Sequence, residues 1–207
     1  MAAQPLPLRP RRGRHPVEIT PAKREIIERG RQQLRAYTPQ PQAYPDDPYV
    51  YQTCILAYEA VLLGDFGVGC IMLDPNGNQV AAGHNELFNP YFRSDRHGEM
   101  VVMDAWEKAN PQVTSMEGYT LYTSLESCPM CMARLITSGC ETVLYAAADP
   151  TGGMVHLMNN LPSVWIGLAK APRQNWGAAN CSPLLAQTAN EIFMINAAEL
   201  NQILENR

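Results

Sequence analysis

Apolar positions first recur at helical spacing over residues 51–63, where Cys54, Ala57, Tyr58 and Val61 fall at i, i+3, i+4 and i+7 and share one face. The period then changes. Residues 67–73 form a short β-rich run, Asp74-Pro75-Asn76-Gly77 reads as a turn, and residues 79–83 return, which predicts an antiparallel hairpin. Further on, the pattern predicts a helix over 97–109, a strand over 120–124, a helix over 128–138 stopped by Gly139, and a strand over 142–147. Strand–helix–strand alternation requires crossovers and parallel pairing of the later strands, so a three-layer α/β fold is expected. After Thr151 the pattern is less regular, with a helix expected over 183–195 that residues 198–205 continue.

The front of the chain reads differently. Residues 1–19 show no periodicity and are expected to be disordered or loosely attached. Thr20 is a good N-cap and Pro21 suits the first helical position, predicting a helix to about Ala36. Residues 38–48 hold four prolines and read as a linker. This divides the chain into a basic, Pro-rich extension over 1–48 and a domain proper over 49–207.

A chain of 207 residues, 46% of them apolar, has the length and composition for one compact domain with an extension. No apolar run approaches the roughly 20 residues that span a bilayer, and the start lacks a secretory apolar stretch, so a cytoplasmic protein with no membrane partner is expected. The net charge of −4 conceals +6 over residues 1–35 and −10 over the rest. An arm carrying Arg9, Arg11, Arg12 and Arg14 suits either a solvated tail or contact with nucleic acid or an anionic surface. Its Arg-rich, acid-poor character also fits a transit peptide, but Pro5, Pro7, Pro10 and Pro16 oppose the amphipathic helix that needs. With no secretory signal, the six cysteines read as thiols, Cys54 and Cys70 as small core residues.

Cys128 and Cys131 are spaced for chemistry. At i and i+3 on the first turn of a helix that follows a strand, both sulfurs can reach one ion, and the helix N-terminus favours thiolates. The same arrangement serves thioredoxin-like redox proteins, and the CxxC alone leaves both readings open. His97 and Glu99 decide between them. His97 with two cysteines is a catalytic zinc ligand set that leaves a fourth position for water. Cys140 lies nine residues past Cys131, roughly 13 Å along a helix, too far to close the site; spacing does not exclude His84 or His156. Glu99 is placed to move protons, and His-x-Glu with a downstream Cys-x-x-Cys is the signature of zinc deaminases.

From about Tyr51 to Met154 the chain resembles the cytidine deaminase-like superfamily. The matching segments are Gly83-His84-Asn85, His97-Gly98-Glu99, Thr120–Leu125 running through Glu126-Ser127 into Cys128-Pro129-Met130-Cys131, and Asp149-Pro150-Thr151-Gly152-Gly153. The resemblance implies a five-stranded mixed sheet, bound Zn2+, Asn85 on the ring or its sugar, the backbone at Leu125 and Glu126 lining the pocket, and a homodimer or larger homo-oligomer. Ser127 departs from the family's usual proline before the first cysteine; its hydroxyl is expected to be able to cap the following helix.

The expected reaction is hydrolytic deamination of a small purine or pyrimidine base or nucleoside. The His84-Asn85 and His97-Gly98-Glu99 pattern is similar to fungal cytosine deaminase, while Tyr145-Ala146-Ala147 with 149–153 is closer to guanine and tRNA adenosine deaminases. The tRNA enzymes typically carry a basic C-terminal helix, whereas residues 197–207 hold two acids and only Arg207. tRNA adenosine-to-inosine deamination therefore stands as the alternative, with the Arg-rich arm as the compensating cation source. A catalytically silent nucleic-acid-binding protein of the same fold is the rival of another class. Trp165, Trp176 and Phe193 are read as core residues or as a stacking platform for the ring.

Overall fold

The computed structural model describes residues 17–170 and 173–206. The arm's first 16 residues, with its four arginines, lie outside them. Helix α1 (Pro21–Ala36) begins at the expected cap, with Thr20 Oγ1 accepting from Lys23 N–H at 3.2 Å. Helix α2 (Asp47–Leu62) starts four residues before the sequence pattern shows it, because Pro48 occupies the first turn, where no N–H is needed. Its predicted face, Cys54, Ala57, Tyr58 and Val61, is buried.

Five strands form one sheet in the order β2-β1-β3-β4-β5: β1 (Gly69–Leu73), β2 (Gln79–His84), β3 (Thr120–Leu125), β4 (Thr142–Ala147) and β5 (Asn175–Ala178). β1 pairs antiparallel with β2 and β3, while β3, β4 and β5 are parallel. The sheet is thus mixed, with the predicted hairpin at one edge. Every residue of β1 is buried because helices cover both faces. Helix α2 meets one face so closely that a Cβ at Gly69 would collide with Thr53 O and Ala57 N. Helix α3 (Gly98–Ala109) meets the other through Cys70, and α1 and α6 (Pro183–Glu205) pack on α2. Ile27 and Leu34 of α1 join the main core. Helix α4 (Pro129–Ser138) ends at Gly139, whose φ of 68° is the left-handed cap that favours glycine.

The C-terminal third holds elements the sequence pattern does not reveal: a 3₁₀ turn over Val155–Asn160, helix α5 (Ser163–Lys170) and β5. β5 is a four-residue edge strand, Asn-Trp-Gly-Ala, too short to show alternation. Conversely, 183–195 and 198–205 are one helix of 23 residues, since no glycine or proline separates them.

Candidate active site

The expected metal ligands converge from two helix N-termini. His97 is the N-cap residue of α3 and Cys128 that of α4, with Cys131 one turn further on. Their donor atoms all lie within 4.8 Å of one another. Cys128 Sγ is 3.5 Å from both His97 Nδ1 and Cys131 Sγ. A tetrahedral ion with bonds of about 2.3 Å to sulfur and 2.0 Å to nitrogen spaces its donors roughly 3.5–3.8 Å apart, so the cluster fits zinc.

The donors share protons unequally. The hydrogen bond from Cys131 lowers the Cys128 pKa to about 4 against the cost of burial, with His97 adding to the effect. Burial raises Cys131, and its bond to Cys128 raises it further. Burial alone would lower the His97 pKa, but the hydrogen bond and charge of Cys128 outweigh it and leave the imidazole above its ordinary value. Cysteine ligates a cation as the thiolate, so binding one would displace the proton that burial favours on Cys131.

The remaining candidates for a fourth ligand are elsewhere. Cys140 is buried beyond the end of α4, with Sγ directed at Tyr119 O and Thr142 O. His84 Nδ1 meets Asn85 O at 2.9 Å, and His156 Nδ1 meets Glu126 at 2.7 Å. Among the described residues, only His97, Cys128 and Cys131 form such a cluster.

Glu99, in the first turn of α3, is 3% exposed, and its Oε2 lies 3.4 Å from Cys131 Sγ. Burial, and then the negative charge of Cys128, raise its pKa. Asn85 follows β2 and is equally buried; its Oδ1 accepts from Gly98 N–H at 2.6 Å. It thus anchors the first turn of α3 and keeps its amide N–H2 as a donor. Gly98 allows this approach, since a Cβ there would stand 2.9 Å from Cys70 Sγ. Arg96, paired with Glu86 at 2.7 Å and Asp104 at 2.6 Å, fastens the loop that delivers His97.

These groups open onto a cavity of about 200 Å³. His97, Glu99, Cys128 and Asn85 form its polar end, and Leu125 and Glu126 also line it. Its apolar wall comes from residues that carry no motif: Phe66, Val68 and Leu87, with Phe193 and Leu204 from α6. Phe193 stacks on Phe66 at 5.9 Å. Trp165 and Trp176 pack instead against a separate cluster around Met132, Ile136 and Ala169. A larger groove of about 540 Å³, lined by Gln33, Tyr37 and Thr188, shares no residue with the site.

Ser127 does not cap α4. It stands one position too early, Cys128 being the N-cap, and its buried hydroxyl interacts instead with the Glu99 carboxylate, whose pKa it lowers against the effect of burial.

Residues 45–147 match the family described as the cytidine and deoxycytidylate deaminase zinc-binding region. A tRNA-specific adenosine deaminase of Bacillus subtilis is 36% identical over 116 residues, which cover 56% of this chain and 70% of that protein. The chain belongs to the cytidine deaminase-like superfamily. Its zinc site and its hydrolytic deaminase chemistry follow from that membership and from the His/Cys/Cys cluster. Among solved structures, a tRNA adenosine-34 deaminase that edits the wobble position superposes with a TM-score of 0.54 at 22% identity, covering 68% of this chain and 94% of that one. The guanine deaminase of Nitrosomonas europaea gives a TM-score of 0.56 at 18% identity, covering 76% and 88%. These two likenesses show the superfamily's fold, including the five-stranded mixed sheet. Among the described residues, no helix is long and apolar enough to cross a membrane.

Proposed function

We propose that the protein removes the amino group from the ring of a free nucleobase or nucleoside, guanine or cytosine foremost, with Glu99 as proton carrier. The carrying observation is a buried carboxylate beside three zinc-ligand donors at one end of a cavity with apolar walls. Held by His97, Cys128 and Cys131, zinc would supply a water acidic enough to attack at neutral pH. Glu99 takes the proton that water gives up, delivers it to the ring nitrogen, and passes a second to the leaving amine. The ring carbon exchanges its C–N bond for C–O, and ammonia departs. Asn85 donates to the ring edge, while Phe66, Leu87 and Phe193 hold the ring face and exclude bulk water. At about 200 Å³ the cavity is smaller than the roughly 300–1,000 Å³ pockets of drug-sized ligands, which supports a single heterocycle.

One observation favours a second reading, deamination of adenosine in tRNA. Val17, the first described residue, packs in a cluster with Phe66, Leu87, Phe88 and Leu200, and Phe66 and Leu87 line the cavity. A base flipped out of an RNA would use the same cavity, with phosphates left outside for cations to hold. The Bacillus subtilis relative's named substrate points the same way. An ammonia-release panel of free bases, nucleosides and tRNA separates the readings, run on the full chain and on a variant with Arg9, Arg11, Arg12 and Arg14 changed to Ala. Release from a free base or nucleoside, unaffected by the arginines, is the expected result. Release from tRNA alone, lost in the variant, would establish the second reading. A zinc-loaded protein that releases none would sink both and leave a silent nucleic-acid binder of the same fold.

A further inference from the structure

The segment after β4 supplies one wall of the cavity through Asp149 and Gly152. A buried carboxylate holds it in place, together with one backbone bond from Met154 N–H to Ser127 O at 2.9 Å. The Glu126 side chain is 1% exposed; Oε2 accepts from Asp149 N–H at 3.0 Å, and Oε1 accepts from His156 N–H at 2.9 Å. His156 Nδ1 lies 2.7 Å from the same Oε1 and completes the set as a donor. Gly153 is drawn in so tightly that a Cβ there would stand 2.5 Å from Glu126 Cδ. Asp149 in turn folds the wall on itself, its Oδ1 accepting from Thr151 N–H and Gly152 N–H.

Two of the three donors to Glu126 are backbone amides that any residue would supply. The third depends on the side chain of His156, which is in the 3₁₀ turn and 36% exposed. A buried carboxylate that loses a donor either draws in water or moves toward it. Either response displaces the two amides it grips, and with them Asp149 and Gly152.

We propose that His156 is a positioning residue for substrate binding, bracing Glu126 so that the wall formed by Asp149 and Gly152 stands at the spacing a ring requires. The inference rests on the cavity being the substrate site proposed above. His156 hydrogen-bonds to Glu126 and not to the metal donors or Glu99, so its loss acts on binding rather than on proton transfer.

The test uses the full-length, zinc-loaded protein with His156→Ala and His156→Asn, the latter keeping a side-chain N–H at a similar reach. Hydrogen exchange of the 149–156 amides should quicken roughly tenfold in His156→Ala and return toward the parent rate in His156→Asn, with β3 and α4 unchanged. On the substrate that the panel identifies, KM should rise roughly tenfold while kcat stays within about twofold. Unchanged exchange, or a fall in kcat with KM unmoved, would overturn the proposal. If exchange quickens as expected but no substrate is turned over, the bracing stands and the deamination reading fails. If the parent is active and His156→Ala matches it in KM, the reverse holds.

Discussion

Glu99→Gln should bind zinc at full stoichiometry and lose at least about 100-fold in kcat, the lower end of what a positioned general acid–base contributes. The glutamine amide is nearly isosteric, so Cys131 and the apolar wall keep their packing, while the carboxylate that accepts and returns a proton is gone. Burial is what makes the group specific: at 3% exposure, little solvent reaches it to take over the transfer. Metal content is read by elemental analysis and turnover by ammonia release. Near-parent turnover with zinc present would remove Glu99 from its assigned role.

Cys131→Ala should empty the metal site and abolish activity. Of the three donors, Cys131 is the most deeply buried, 0% exposed and enclosed by the core that α4 shares with the sheet. No other cysteine is placed to substitute, Cys140 being engaged with backbone carbonyls beyond the helix end. Full zinc occupancy in the variant would break the ligand assignment. The fold itself should survive, because the main core is built largely from residues away from this position, and circular dichroism distinguishes loss of metal from loss of structure.

The ligand cluster is legible in the sequence because each part is local. Cys128 and Cys131 are one helical turn apart, and His97 and Glu99 sit on a single first turn. The cap at Thr20 and the stop at Gly139 are local too, so the ends of α1 and α4 come out as expected. Tertiary proximity is what the pattern cannot show. Phe66, Leu87, Phe193 and Leu204 meet only after the last helix folds back over the cavity, and none carries a motif. His156 is hidden for a related reason, since its meaning comes from a carboxylate 30 positions earlier. Ser127 differs from the expectation by one position of helix register, which is enough to turn its hydroxyl from the helix end to the Glu99 carboxylate.

The junction between α1 and α2 has a consequence for biosynthesis. Tyr122 Oη donates to Asp46 at 2.6 Å, and Asp46 accepts from Asn180 N–H at 2.6 Å. Tyr37 Oη and Ser182 N–H donate to Asp47, the latter from 135 positions further along. At roughly 5–20 residues per second, a ribosome needs on the order of 10 s to deliver those late partners. For that interval the apolar face of α2 has no α6 to cover it, and the nascent chain is at its stickiest. Yield in a heterologous host should therefore depend on translation speed and on chaperones that shield emerging chains, more than on the stability of the finished protein.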